Sequence, residues 1–187
     1  MENKENTYKH LYEQALSLFA DESDCVANAA NLVAIIHRTF HFWWTGFYRV
    51  VSNELVLGPY QGPLACTRIA WGKGVCGTAL AEEKTIIVPD VEHFAGHIAC
   101  SAESRSEIVV PCWANGKIVA VLDIDSENLG TFDECDACWL EKIVALLDPT
   151  SKVTTNEELY CPDCGAIYQK HDVFCPVCGN KIDKTRH

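Results

Sequence analysis

The chain has 187 residues, 48% of them apolar and 22% charged, which is enough for one packed domain with a small appendage. Its formal net charge of −11 comes without a Lys/Arg cluster, which argues against nucleic acid or an anionic membrane as partner. No apolar run reaches the ~18 residues that span a bilayer.

The first residues, MENKEN, lack the apolar stretch of a signal peptide, so the expected location is cytoplasmic. Eleven cysteines is an odd count. Without an export signal, metal binding and thiol redox chemistry explain them better than a disulfide framework.

Residues 8–20 carry apolar side chains at helical spacing, and residues 25–40 form a second amphipathic helix after a polar break at 21–24. The period then changes. Residues 43–51 (WWTGFYRVV) are aromatic and β-branched and read as a strand. Ser52-Asn53 turns into a second strand over 54–58. Residues 59–77 read as a loop leading into a helix near 75–82. A short strand at 85–88 precedes a long loop over 89–105. Strands at 107–113 and 117–123 are joined by Asn115-Gly116, a strong hairpin signal. Thr131 followed by Glu134 resembles a capping box that opens a helix ending near Leu147. Helices flanking a hairpin-rich antiparallel sheet make an α+β domain. Its expected span is 1–148, followed by a polar linker at 149–156 and a metal module at 157–187.

The metal module rests on Cys161-Pro162-Asp163-Cys164-Gly165 and Cys175-Pro176-Val177-Cys178-Gly179, two CPxCG motifs. Each presents two thiolates from one tight turn, and the glycine permits the positive φ the turn needs. Four thiolates in tetrahedral array suit a structural Zn²⁺, with iron as the alternative metal. All four cysteines are used, so the site is closed and structural. A segment this small needs the metal to fold.

The remaining cysteines divide by context. Cys66 (GPLACTRI), Cys76 (GKGVCGTA) and Cys100 (GHIACSAESRS) lie in or beside Gly-rich, polar loops. Lys73, Arg68, His97 and Arg105 nearby would lower their thiol pKa values and suit a redox site. Three small, half-buried residues is the competing reading. Cys25 and Cys112 read as buried structural thiols. Cys135 and Cys138 form a CxxC on a predicted helix, where packing competes with redox chemistry.

Acids and aromatics add to this. Asp123 and Asp125 are two apart on a strand and share a face; Glu107 opens another strand. Clustered carboxylates can hold an ammonium group, or one can be raised in pKa and donate a proton. A solvated strand end is the alternative. Trp44 and Tyr48 fall on one strand face and serve either as core or as an aromatic cage.

Residues 8–147 closely resemble the free methionine-(R)-sulfoxide reductases, enzymes of the GAF fold with a central antiparallel sheet flanked by helices. The resemblance is carried in order by WTGFY (44–48), LVLGPYQG (55–62), ACTRI (65–69), GKGVCGTA (72–79), VPDV (88–91), GHIACSAESRSEIVVP (96–111) and VLDIDS (121–126). It implies that Cys100 is the nucleophile that attacks the sulfoxide sulfur and becomes a sulfenic acid. Cys76 would be the main resolving cysteine and Cys66 an additional one, with thioredoxin as reductant. Glu107, Asp123 and Asp125 would be substrate-binding acids, with Trp44 and Tyr48 walling the methyl-sulfur end. No organic cofactor is expected in this domain, and a homodimer is left open. The appended ribbon, Trp71, Cys112, Cys135 and Cys138 depart from the family pattern. The competing functions are a non-catalytic GAF sensor of a small molecule and a thiol redox switch, each using the ribbon for protein docking.

Overall fold

The computed structural model of the chain describes residues 3–96, 103–148, 159–160, 167–168 and 177–178. The chain divides into two compact units, residues 1–151 and 152–187.

In the first unit, helices α1 (Lys4–Phe19) and α2 (Cys25–Phe40) precede strands β1 (Trp44–Val51) and β2 (Glu54–Gln61). Then come β3 (Arg68–Ala70), α3 (Gly74–Glu82), β4 (Ile86–Val88) and a 3₁₀ turn at Val91–His93. Strands β5 (Ser106–Ala114) and β6 (Lys117–Ser126) and helix α4 (Glu134–Ala145) complete the unit. The strands form one sheet in the order β3-β2-β1-β6-β5-β4, with every neighbouring pair antiparallel. The α+β expectation is met. Both hairpin turns place two residues at positive φ, Ser52 and Asn53 in one, Asn115 and Gly116 in the other. That geometry matches the twist of the flanking strands.

Side chains alternate across the sheet and build two cores. Leu122 and Ile124 of β6, with Ile108, Val110 and Cys112 of β5, pack under α1, α2 and α4. Val121 of β6 and Val109 of β5 point the other way, toward α3, Trp44 and Tyr48. The helical layer is fastened at Asp136, which is fully buried. Its carboxylate accepts from the Tyr8 hydroxyl at 2.7 Å and from the Asp133 backbone N–H at 2.8 Å, and pairs with Lys4. A buried charge is tolerable only when partnered this fully.

Several expectations are corrected. Strand β3 lies where a loop was expected, a three-residue edge strand too short to show a period. Helix α4 is capped by Asp133, with Asp136 completing the capping box. Thr131 instead hydrogen-bonds Ser126 and the Asn128 carbonyl. Cys25 is exposed, because it sits at the first position of α2. Among the described residues, no helix is long and apolar enough to cross a membrane.

In the second unit, β7 (Leu159–Tyr160) pairs antiparallel with β8 (Ile167–Tyr168).

Candidate active site

The face of the sheet away from α1, α2 and α4 carries the sequence-predicted acids in one register. β5 and β6 pair Glu107 with Asp125 and Val109 with Asp123. β6 and β1 pair Asp125 with Trp44 and Asp123 with Gly46. Trp44, Asp125 and Glu107 therefore form one row across three strands. The period-two expectation for Asp123 and Asp125 is met, and the face is a pocket wall rather than a solvated strand end. Glu107 and Asp123 are each 6% exposed.

These residues line one pocket together with Tyr48 and Cys76. Trp44 stacks on Tyr48 at 5.8 Å between ring centroids and on Tyr60 at 5.5 Å. Gly46 makes room for that stack, since a Cβ there would overlap the Trp44 ring and lie 2.5 Å from Tyr60 Cβ. The aromatic wall is tied to the loop beyond β2. Trp44 Nε1 donates to the Pro63 carbonyl at 3.1 Å, and the Tyr48 hydroxyl donates to the Cys66 carbonyl at 3.0 Å.

Cys76 reaches the pocket from the first turn of α3. That helix approaches the sheet closely because Gly77 has no Cβ, which would meet the Ala70 carbonyl at 2.5 Å. The Cys76 thiol is buried and donates toward Glu107 Oε1 at 3.9 Å. Its expected activation by neighbouring cations is reversed. Burial pushes the thiol up, and the charges of Asp123 and Glu107 push it further. Arg68 instead pairs with Glu54 at the β2–β3 edge.

The three acids share this electrostatic problem. Burial, then the Asp123 and Asp125 charges, holds Glu107 well above the usual carboxylate range. Burial, then Asp125, does the same to Asp123. Asp125 is pushed up by burial only to about 6, because the Ser104 hydroxyl hydrogen-bonds its carboxylate. Ser104 is held by Arg105, whose backbone N–H donates to the Ser126 carbonyl at 2.7 Å. Such a site suits a ligand that brings positive charge, and a reaction that consumes a proton.

Cys100 lies outside the described residues, as do Cys161, Cys164 and Cys175 of the expected metal set. Cys178 is exposed in a turn. Cys66 is half-buried and packs against the cluster that includes Trp44 and Tyr48. Cys112 packs in the opposite core, where burial pushes its thiol up to about 12. Cys135 packs against that same core and Cys138 is exposed, so Cys135 is turned away from the pocket face. Sequence reasoning missed Ser104 and Gly46. A serine in a polar loop carries no signal of its own. Gly46, inside the aromatic run at 43–48, is a glycine in a strand, which signals close approach of another group.

Residues 24–147 match the GAF domain family, and residues 160–182 match the zinc-ribbon family. The free methionine-R-sulfoxide reductase of Escherichia coli (strain K12) is 40% identical over 164 residues, covering 87% of this chain and 99% of that protein. GAF domain-containing protein A of Dictyostelium discoideum is 54% identical over 78% of this chain and 93% of its own length. The X-ray structure of the free methionine-R-sulfoxide reductase from Neisseria meningitidis, in complex with its substrate, is 49% identical. It superposes with a TM-score of 0.77 over 79% of this chain and 90% of that one.

Proposed function

We infer the chemistry from one premise: the chain belongs to the family of free methionine-R-sulfoxide reductases, built on a GAF domain and followed here by a zinc ribbon. It reduces free methionine-(R)-sulfoxide to methionine. In our reading residues 1–148 carry that reaction, 149–156 link, and 157–187 form the ribbon.

The observation that carries the mechanism is the buried group of Cys76, Glu107 and Asp123 beside Asp125 in one pocket walled by Trp44 and Tyr48. Asp125, the acid least raised, carries charge at neutral pH and binds the substrate ammonium. Trp44 and Tyr48 enclose the methyl-sulfur end. The Cys100 thiolate attacks the sulfoxide sulfur. The oxygen takes a proton from Glu107 or Asp123, both raised well above the usual carboxylate range by burial. Cys100 becomes a sulfenic acid as methionine leaves with the sulfur electron pair. Cys76 then attacks Cys100, a disulfide forms and water departs. The thiol proton of Cys76 passes to the carboxylate left by the first proton transfer, with Glu107 Oε1 3.9 Å away, and the leaving hydroxide takes up the proton that Cys100 gave up on ionising. The net change is sulfoxide plus two thiols to thioether, disulfide and water. Cys66 serves as a second resolving thiol, and thioredoxin restores the dithiol by exchange. We assign the reaction to the cytoplasm.

The four ribbon cysteines, Cys161, Cys164, Cys175 and Cys178, are an all-thiolate donor set that suits Zn²⁺, which would supply a structural crosslink. The reductase reading is tested by NADPH oxidation coupled through thioredoxin and its reductase. Free methionine-R-sulfoxide should turn over, and the same sulfoxide inside a peptide should not. Absence of turnover removes this reading in favour of a small-molecule sensor, and equal turnover of the two removes it in favour of a reductase that does not require the free amino acid.

A further inference from the structure

Cys76 Sγ, a Glu107 carboxylate oxygen and an Asp123 carboxylate oxygen all lie within 4.8 Å of one another, and all three residues are buried. Asp123 Oδ1 is buried and has no hydrogen-bond partner among the described residues. No lysine or arginine pairs with Glu107 or Asp123 among them either. An orphaned carboxylate oxygen facing a thiol and a second carboxylate is costly to bury unless a proton or a cation joins it.

We infer that Cys76, Glu107 and Asp123 form a binding site for a thiophilic divalent cation of the zinc class in the reduced protein, in competition with the sulfoxide for the same pocket. The competition rests on the function proposed above; the metal site does not. Zinc takes thiolate at about 2.3 Å and carboxylate at about 2.0–2.2 Å, which sets tetrahedral donors about 3.6 Å apart. The Cys76–Glu107 separation of 3.9 Å needs to close by only a few tenths of an ångström. The thiolate selects zinc or cadmium over magnesium or calcium, which prefer all-oxygen shells. Binding displaces the thiol proton and any proton on the two acids, so metal uptake releases protons. Three protein donors leave a fourth position open to the pocket, unlike the closed four-thiolate ribbon.

Equilibrium dialysis of the reduced full chain against micromolar Zn²⁺, with bound metal counted, tests this. Native protein should hold one more zinc per chain than Asp123→Asn, Glu107→Gln or Cys76→Ser. Metal on the ribbon cysteines, or on exposed Cys25 and Cys138, is common to all forms and cancels in the difference. Native chain loaded with Co²⁺ supplies a reading that needs no variant to fold. Its thiolate-to-metal absorption should fall when saturating free methionine is added. Equal zinc in native and all three variants overturns the site, and an unchanged Co²⁺ spectrum overturns the competition. Failure of sulfoxide turnover, with the zinc difference intact, removes only the reductase reading.

Discussion

The Ser104 hydroxyl hydrogen-bonds Asp125 Oδ1, and Ser104 is only 7% exposed. That bond separates Asp125 from the other two acids of the pocket. It favours the ionised carboxylate against burial, which leaves Asp125 at about 6 while Glu107 and Asp123 go well higher. Ser104→Ala removes it, and hydrogen bonds to charged groups are worth about 1.5–3 kcal/mol, or roughly one pKa unit or more. The acidic limb of kcat/KM should move up by about one unit, with a roughly fivefold loss at pH 6 and near parity at pH 8. Ser104→Thr should restore the native profile. A limb that stays put in Ser104→Ala shows that Asp125 does not bind the substrate as an anion.

Stability should run against the needs of the site. An acid whose folded pKa is raised keeps its proton in the native state after the unfolded chain has lost it. Stability therefore falls as pH rises from the unfolded value toward the folded one. For Asp125 that window runs from the ordinary aspartate value of 3.8 to about 6, and for Glu107 and Asp123 it extends higher. Asp123→Asn removes one charge from the cluster. It should raise Tm at pH 7–8, by an amount equivalent to about 1–2 kcal/mol, and the gain should vanish near pH 4. Thermal unfolding of both proteins across that range measures it. A native chain more stable than the variant at pH 8 means that the cluster is already compensated by a bound cation.

The acids were legible because a strand has a period of two, so Asp123 and Asp125 had to share a face. Glu107 joined them only through the β5–β6 register, which the Asn115-Gly116 turn pins. What stayed hidden depends on contacts remote in sequence. The direction of the Cys76 pKa turned on burial against acids from β5 and β6, whereas nearby cations in sequence suggested the opposite. Ser104 acquires meaning only through Asp125, 21 residues away. Cys25 looked buried from its helix but occupies the exposed first position. The α4 cap used Asp133 with Asp136, a pair that a search for Thr and Glu passes over.

Cys76 and Cys100 have separable roles in the proposed cycle. Cys100→Ser should abolish formation of methionine. Cys76→Ser should still release one equivalent of methionine per chain in a single turnover, then stall as a sulfenic acid that a dimedone probe traps. Steady-state turnover with thioredoxin should drop at least tenfold, with Cys66 supplying the residue. Full steady-state activity in Cys76→Ser would transfer the resolving role to Cys66.

Gly46 tests whether the aromatic wall shapes the pocket. A methyl group there overlaps the Trp44 ring and Tyr60 Cβ, and Tyr60 Cβ is fixed to its strand. Gly46→Ala should destabilise by about 1–3 kcal/mol, typical of overpacking. It should also displace Trp44 from its hydrogen bond to Pro63. KM for the sulfoxide should rise more than kcat falls, because the enclosing wall moves while the acids stay. Quenching of tryptophan fluorescence by free methionine gives the same reading without turnover. An unchanged KM means that Trp44 does not touch the substrate.

The ribbon should prove separable from the chemistry. The chain splits into two compact units at residue 151, and every acid and aromatic assigned to the pocket lies in the first. A segment of this size buries too little apolar surface to fold without its metal. Cys161→Ser should therefore release one zinc and make residues 152–187 sensitive to limited proteolysis. Melting of the first unit and turnover of free methionine sulfoxide should stay within about twofold of native, since no step of the proposed cycle uses a ribbon thiol. Chelation of the native chain should reproduce the variant. Loss of turnover with an unshifted melt would make the ribbon part of the reductase, with docking of thioredoxin the first step to examine. A rise in KM for thioredoxin, at constant KM for the sulfoxide, would locate the defect there.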